Sequence, residues 1–267
     1  MRQAGLSVAH PIAHEQDYVL DIPAPEGIRY ALLYAESTGV SVGQRITPEQ
    51  ASMYGHLVAR IHEVADAQSL QAPRRIDLDY LLDEPARLIV PLIRHRPHDL
   101  QWLEQSIEDL KRAVSTLPRT QPTYGLCHGD LHKSNILCQS DGQLTLVDWD
   151  CVGMGWRAYD LSILRWSIGP AVGKEGIGEP RLSEVWSAYL NSYQGLRSLS
   201  NEERVAIPAF VAIRHIRALG WGIDRAVNGI DGYGRLTDEY FDWWFDGLRT
   251  WQGNGATSES LERTYRM

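Results

Sequence analysis

Two short acidic segments, separated by a hairpin-turn signal, constrain the fold of this chain more than any other feature. The first is His-Gly-Asp at residues 128–130, with Asn135 five residues after the aspartate. The second is Asp-Trp-Asp at residues 148–150, and the Asp-Gly pair at 141–142 between them is a strong signal for a β-hairpin. A hairpin returns the chain towards its starting point, so the sequence predicts that both segments converge.

The side chains in these segments are those that phosphoryl transfer requires. Asp130 lies on a tight loop, Asn135 supplies an amide, and Asp148 is a second acid across the hairpin. A carboxylate orients the attacking hydroxyl, and oxygen ligands hold Mg²⁺. Each residue alone could be a turn acid, a helix cap or a solvated strand-end acid. All three at this spacing favour a site that binds one cation and one hydroxyl.

The pattern resembles the aminoglycoside phosphotransferase and choline kinase family, relatives of the protein kinases. The family sequence H-G-D-x-x-x-x-N, then D-[WF]-[DE], then D-[LI] at a helix start, is matched here, the last at Asp160-Leu161. Residues 155–161 are closest to the homoserine-kinase-like and stress-response-kinase-like branch. The resemblance covers residues 4 to 250. It implies an α+β, protein-kinase-like fold with a mainly helical C-lobe and a rudimentary β-hairpin remnant of the N-lobe.

The resemblance also implies a role for each matched residue. Asp130 is the implied catalytic base, His128 holds its loop, and Asp160 ties the loop from below. The implied Mg²⁺ ligands are Asn135 and Asp148.

Three other groups of residues are assigned by the same resemblance. The phosphate donor is ATP, and the residues expected to bind it are Leu33, Tyr34, Ala35, Leu137 and Val147. The first three form the hinge whose backbone meets the adenine edge, and Leu137 is the apolar floor. Asp150 is either a further metal ligand or a structural acid. His132 either contacts the transferring phosphate, as a catalytic residue, or has a local structural role; His62 is expected to be structural.

The parts of a kinase N-lobe are not recognisable in this sequence. A Gly-rich loop, a strand lysine and a helix glutamate are expected, but the first lysine is Lys111. We expect a natural protein that is longer at its N-terminus, a degenerate copy, or a lobe completed by another chain. The expected function is an ATP- and Mg²⁺-dependent phosphotransferase acting on a hydroxyl of an amino alcohol, aminoglycoside or similar small metabolite. The alternative is a catalytically weak or inactive pseudokinase-like binding module.

The periodicity predicts the helices and strands, and the resemblance implies that they belong to three regions. Residues 1–36 are an N-lobe remnant, with strands at 17–20 and 29–34 and the hinge. Residues 37–252 are the helical C-lobe, whose first helix begins at an N-cap, Thr47, and a capping box; later helices are expected at about 100–117, 159–168, 182–195, 202–227 and 237–251. Residues 253–267 are a flexible tail. A two-stranded hairpin is marginal and has open edges, so we expect homodimerisation through residues 15–36 or poor order there.

The resemblance implies a small-molecule substrate, and composition argues against two other classes of partner. A net charge of -8 argues against nucleic acid, and no apolar stretch approaches the roughly 18 residues of a membrane helix. The cytoplasm is the default location. Aromatic and acidic residues at 238–246 either hold a cationic amine or form a packed stripe. Arg214, His215 and Arg217 face either the cleft or solvent.

Overall fold

The computed structural model describes residues 1–43, 46–169, 177–178, 180–230 and 235–253. Within them the α-helices are α1 (Pro48–Ala67), α2 (Glu84–Leu92), α3 (Pro97–Val114), α4 (Arg157–Ile168), α5 (Arg181–Gln194), α6 (Asn201–Val227) and α7 (Asp238–Gly253). The strands are β1 (Pro11–Ile12), β2 (Val19–Ala24), β3 (Gly27–Tyr34), β4 (Val40–Ser41), β5 (Arg75–Ile76), β6 (Tyr124–Cys127), β7 (Ile136–Cys138), β8 (Leu144–Leu146) and β9 (Gly153–Trp156). The predicted tail, apart from Gly253, lies outside the described residues.

The helical lobe is built around α6. This helix packs against α2, α3, α4 and α7, while α1 packs against α5. Its inner face buries Phe210, whose ring lies 5.9 Å from Trp156 and 6.0 Å from Tyr159. Burying an aromatic side chain of this size contributes about 2–3 kcal/mol. The lobe that carries α4 and the β6–β7 connection is therefore held by a continuous apolar core.

The start of α1 follows the predicted capping box. The Thr47 hydroxyl accepts the Gln50 N–H at 3.2 Å, and the Gln50 side chain accepts the Thr47 N–H at 3.0 Å. Pro48 occupies the first turn, where its missing N–H costs nothing. The helix then presents buried positions to α5, including His62.

The strands form three small sheets, in the orders β1-β3-β2, β4-β7-β8 and β5-β9-β6. In the second, Ile136 pairs with Leu146 across the predicted hairpin, and Gly142 turns it with φ +84°. The third sheet was not predicted. Its strand β9 contains Gly153 and Gly155, because a Cβ at either would lie 2.8–2.9 Å from the Ile76 side chain.

The N-terminal sheet differs from the predicted two-stranded hairpin, because β1 pairs with β3 and adds a third strand. One edge of β2 remains open. The sheet exposes many large apolar side chains: Ile12, Tyr18, Val19, Ile22, Ile28, Tyr30, Leu32, Leu33 and Tyr34. The preceding segment ties the sheet to the lobe, since the Ala9 N–H donates to the Leu146 carbonyl at 2.9 Å. None of the helices described here is long and apolar enough to cross a membrane.

Candidate active site

The loop between β6 and β7 carries the first acidic segment, and Asp160 anchors it from below. Asp160 lies in the first turn of α4 and is fully buried. One carboxylate oxygen accepts the His128 N–H and the other accepts the Gly129 N–H, both at 2.8 Å. Gly129 has φ +82°, a conformation that disfavours side chains, and a Cβ there would collide with the Cys151 carbonyl. These constraints fix the backbone just before Asp130.

Behind the anchor lies a buried chain of polar groups. His62 Nε2 is 3.1 Å from the Asp160 carboxylate, and its Nδ1 is 2.9 Å from the Tyr193 hydroxyl. Burial lowers the pKa of His62 well below its usual value, so the ring is neutral. A neutral ring that donates from Nε2 accepts a hydrogen bond from the Tyr193 hydroxyl at Nδ1. His62 therefore supports the anchor, in agreement with the predicted structural role.

His128 joins the two acidic segments. Its Nε2 donates to the Val147 carbonyl at 3.1 Å, and its Nδ1 accepts the Asp130 N–H at 3.2 Å. Burial lowers the pKa of His128 to about 4, so the ring is neutral near pH 7. The ring centre lies 4.6 Å from that of Trp149. Both nitrogens are engaged with backbone, so His128 holds the loop and has no free nitrogen with which to move a proton.

Asp130 is buried between two basic side chains. One carboxylate oxygen is 2.6 Å from the Arg214 guanidinium, and the other is 3.4 Å from His132 Nε2. Burial raises the pKa of Asp130, but the charge of Arg214 and the contact with His132 outweigh it. The pKa therefore lies well below its usual value. Asp130 is a fixed anion, suited to orienting a hydroxyl proton.

The sequence left Arg214 facing either the cleft or solvent, and the structure places its guanidinium beside Asp130. Arg214 comes from α6, 84 positions further along the chain, and is itself buried. Its guanidinium also lies 4.8 Å from the Trp166 ring centre. A charged residue at a buried position of an amphipathic helix is the one signal that could have singled it out. That signal does not name its partner.

The predicted metal ligands come from both sides of the hairpin. Asn135 is buried and donates from Nδ2 to the Asp130 carbonyl at 3.0 Å, which directs its amide oxygen away from that bond. Asp148 has φ +63°, a left-handed conformation that aspartate tolerates better than most residues. Such strain costs about 1–3 kcal/mol and is concentrated at functional sites.

The charges around Asp148 fit a divalent cation. Burial raises its pKa, and the negative charges of Asp150 and Asp130 raise it further, a repulsion that a cation would relieve. Among the described residues, no group of three or more His, Cys, Asp or Glu side chains could hold a metal alone. Mg²⁺ commonly uses one or two protein carboxylates plus substrate phosphates, which fits Asp148 with the Asn135 amide. Asp150 is exposed, and its carbonyl accepts a hydrogen bond from Arg74.

The predicted nucleotide residues fall in two places. Leu137 lies in β7 beside Ser41 of β4, and the Val147 carbonyl is held by His128. Leu33 and Tyr34 end β3 with exposed side chains, while the Ala35 N–H already donates to the His10 carbonyl at 2.8 Å. Ala35 therefore keeps only its carbonyl for the adenine edge. An open cavity of about 1090 Å³ adjoins β4 and β7 but is lined by residues 38–43, Gln50 and 138–140, away from Asp130.

The aromatic and acidic stretch at 238–246 is used for packing. Phe241 and Phe245 are buried, and Tyr240 and Trp244 stack with their ring centres 6.2 Å apart. The acids Asp238 and Asp242 both pair with Arg96. The packed-stripe alternative therefore accounts for this stretch.

Three buried, neutral histidines make the stability depend on pH. Burial lowers the pKa of His128 and of His215 to about 4, and that of His62 well below its usual value. Unfolded histidines have a pKa of about 6.5, so below that pH the unfolded chain binds protons that the folded chain does not. The free energy of unfolding then falls as the pH drops towards 4. At pH 5 the loss is about 2 kcal/mol for each of His128 and His215.

One acid acts in the opposite direction. Burial raises the pKa of Asp160 to about 6, so the folded state gains stability as the pH falls from 6 towards 4. This gain offsets roughly one histidine. We therefore expect calorimetry to give a lower melting temperature at pH 5 than at pH 7, with a shallower slope in His215→Gln and an unchanged slope in the exposed control His56→Gln. A flat or rising profile in the unmodified protein would contradict this expectation.

Comparison with known proteins identifies relatives across most of the chain. The family described as "Phosphotransferase enzyme family" matches residues 1–199. An uncharacterised protein of Deinococcus radiodurans is 30% identical over 250 residues, which cover 93% of this chain and 70% of that protein. Amicoumacin kinase of Bacillus subtilis is 25% identical over 224 residues, covering 81% of this chain and 64% of the kinase. The chain thus spans about two thirds of the length of these curated relatives.

Solved structures share the fold at low sequence identity. An amicoumacin kinase in complex with AMP-PNP, Ca²⁺ and Ami superposes with a TM-score of 0.74 and 20% identity, over 98% of this chain and 77% of that one. A microcompartment-associated aminopropanol kinase superposes with a TM-score of 0.68 and 19% identity, over 97% and 77%. The predicted α+β, kinase-like fold is confirmed.

Proposed function

The chain belongs to the phosphotransferase enzyme family, and we propose that it transfers the γ-phosphate of ATP to a hydroxyl group of a small molecule. The observation that carries this proposal is that hydrogen bonds tie Asn135 to the Asp130 carbonyl and His128 to the carbonyl of Val147, the residue before Asp148. The relatives named amicoumacin kinase and aminopropanol kinase support the same proposal, since both names describe kinases of small molecules.

The proposed mechanism relies on position and charge. Asp130 orients the acceptor hydroxyl and receives its proton as the new P–O bond forms and the bond between the γ-phosphorus and the ADP oxygen breaks, so that ADP leaves. Arg214 and His132 keep the carboxylate in place. Asn135 and Asp148 would hold Mg²⁺, which when bound neutralises charge on the phosphates. Asp160 keeps the loop backbone fixed during the transfer, which avoids a reorganisation cost. His132, partly exposed above Asp130, is proposed to contact the transferring phosphate.

The direct test is acceptor-dependent release of ADP from ATP and Mg²⁺, followed over a panel of amino alcohols, aminoglycosides and hydroxy amino acids. Turnover that needs both an acceptor and Mg²⁺ supports the proposal. Mn²⁺ or Ca²⁺ in place of Mg²⁺ shows which cation is used. Nucleotide binding in a thermal-shift assay without turnover of any acceptor would instead favour the pseudokinase-like alternative.

We also propose that the N-terminal sheet is a self-association surface. The open edge of β2 and the exposed apolar side chains of β2 and β3 are features that soluble monomers usually avoid. A second copy paired along β2 would extend the sheet and cover the apolar side chains nearest that edge. We expect light scattering to give a dimer at micromolar concentration.

Matched variants introduce lysine either on this sheet or on a helix away from it. Val19→Lys with Ile22→Lys should produce a folded monomer, because both side chains are exposed in the single chain. Val205→Lys, on an exposed position of α6, should remain dimeric. A monomeric unmodified protein would overturn the proposal.

A further inference from the structure

Arginine side chains approach both acidic segments from the helical lobe. Arg214 and Arg217 lie one turn apart on α6, so they project to the same side of that helix. Arg214 pairs with Asp130, and Arg74, just before β5, donates to the carbonyl of Asp150. Each acidic segment therefore has a guanidinium group in contact with it.

Two of these arginines keep uncompensated charge. In the part of the chain that the structure describes, neither Arg217 nor Arg74 has a carboxylate within ion-pair distance. The Arg217 guanidinium instead lies 4.2 Å from the ring centre of Tyr80. Stacking of this kind leaves the in-plane N–H donors of the fork available to an anion.

A polar cavity of about 410 Å³ is lined by Arg74 and by Tyr80, the ring against which Arg217 lies. Its lining consists of Arg74, Arg75, Asp77, Asp79, Tyr80 and Glu84. Two of the acids are already engaged: Asp79 pairs with Arg87 at 3.1 Å, and Asp77 accepts the Tyr80 N–H at 3.2 Å. Among the described residues, Glu84 has no basic partner. The cavity therefore offers unpaired groups of both signs.

The cavity wall and the catalytic loop are close together. The Cys151 carbonyl lies against Gly129, one residue before Asp130, and Arg74 contacts the carbonyl of the residue before Cys151. Burial raises the pKa of the Cys151 thiol, which also responds to the charges of Asp130, Arg214 and Arg74. A small molecule in the cavity could thus place a hydroxyl near Asp130.

Resting on the proposed kinase function, we propose that the acceptor carries an oxyanion, a carboxylate or a phosphate, bound by Arg217 and Arg74 while its hydroxyl meets Asp130. A guanidinium fork binds either oxyanion through paired, charge-assisted hydrogen bonds. Glu84 is available for an amino group on the same molecule. The site then prefers a hydroxy amino acid or a hydroxylated phosphate ester over an amino alcohol.

Matched acceptors that differ only in the anionic group test this preference. L-serine is compared with ethanolamine, L-homoserine with 3-amino-1-propanol, and glycerol 3-phosphate with glycerol, each by acceptor-dependent ADP release. We expect kcat/KM to be roughly 10–100 times higher for the anionic member of at least one pair. This is the change in rate that a charge-assisted hydrogen bond to the anion would produce. The first two pairs report on a carboxylate and the third on a phosphate.

Variants distinguish a specific role of Arg217 and Arg74 in acceptor preference from the general effect of removing an arginine. Within the preferred pair, Arg217→Met should bring the ratio of the two kcat/KM values close to one. Arg217→Lys should keep part of the preference for the anionic acceptor, and Arg74→Met should reduce that preference. Arg112→Met, an exposed arginine of α3, should leave the ratio unchanged. Preference for the neutral or cationic member of every pair would overturn this inference and leave the proposed kinase function standing.

If no acceptor in the three pairs is turned over, calorimetric binding to the protein with ADP and Mg²⁺ decides. L-serine or glycerol 3-phosphate binding that is lost in Arg217→Met supports the anionic subsite. Equal binding of both members of each pair, or none, overturns it. Failure of the kinase proposal itself appears separately, as the absence of acceptor-dependent turnover in the wider panel.

Discussion

Asp130→Asn is expected to lower kcat by about 10²–10⁴-fold while leaving nucleotide affinity nearly unchanged. The amide keeps the size of the carboxylate but cannot receive the hydroxyl proton. The same change leaves the buried Arg214 guanidinium without its counter-charge, which destabilises the fold by about 3–5 kcal/mol. Steady-state kinetics, nucleotide titration and chemical denaturation measure the three quantities.

The double variant Asp130→Asn, Arg214→Met separates catalysis from stability. Removing the unpaired charge should recover much of the lost free energy of unfolding, whereas turnover should stay low. A single variant with more than a tenth of normal turnover would remove Asp130 from the proposed mechanism. A double variant as unstable as the single one would show that Arg214 is not the source of the instability.

Asp148→Asn should instead abolish productive binding of the Mg²⁺–nucleotide complex. The residue is only partly shielded from solvent and is already repelled by neighbouring acids, so the free energy of unfolding should change by less than about 0.5 kcal/mol. Metal affinity should fall by more than the 10–100-fold that is typical for groups supporting a ligand. Thermal shift with ATP, with and without Mg²⁺, measures the effect.

The matched control for this prediction is Asp141→Asn, an exposed acid on the turn of the same hairpin. It makes the same chemical change a short distance from the site and should bind the Mg²⁺–nucleotide complex normally. A normal Mg²⁺-dependent shift in Asp148→Asn would contradict the proposed metal site. Loss of the shift in both variants would point to the hairpin fold rather than to a ligand.

Features encoded by neighbouring residues could be predicted from the sequence. The capping box at Thr47 and the Asp-Gly hairpin depend on contacts within a few residues. The structure places the starts of α4 to α7 within about three positions of the predictions. The meeting of the two acidic segments also follows from a local turn. These elements can be predicted without knowing how the rest of the chain folds.

Features that depend on distant partners could not be predicted in this way. Strand β9 is rich in glycine, which normally argues against a strand, yet close packing on Ile76 requires glycine there. Strand β1 pairs with β3 across a long stretch of chain. Arg214 and Asp130 are in contact although they lie 84 positions apart in the sequence, and no spacing rule connects them.

The anchor at Asp160 has a consequence for how the site responds to partial unfolding. Its two hydrogen bonds link the backbone of the catalytic loop to α4, and α4 packs directly on α6. The loop is therefore part of the same cooperative unit as the helical core, while the exposed sheet of residues 11–34 can open independently. In amide exchange, the N–H groups of His128 and Gly129 should be as long-lived as those of the core. The acidic half of the site would then keep its shape through every opening of the sheet.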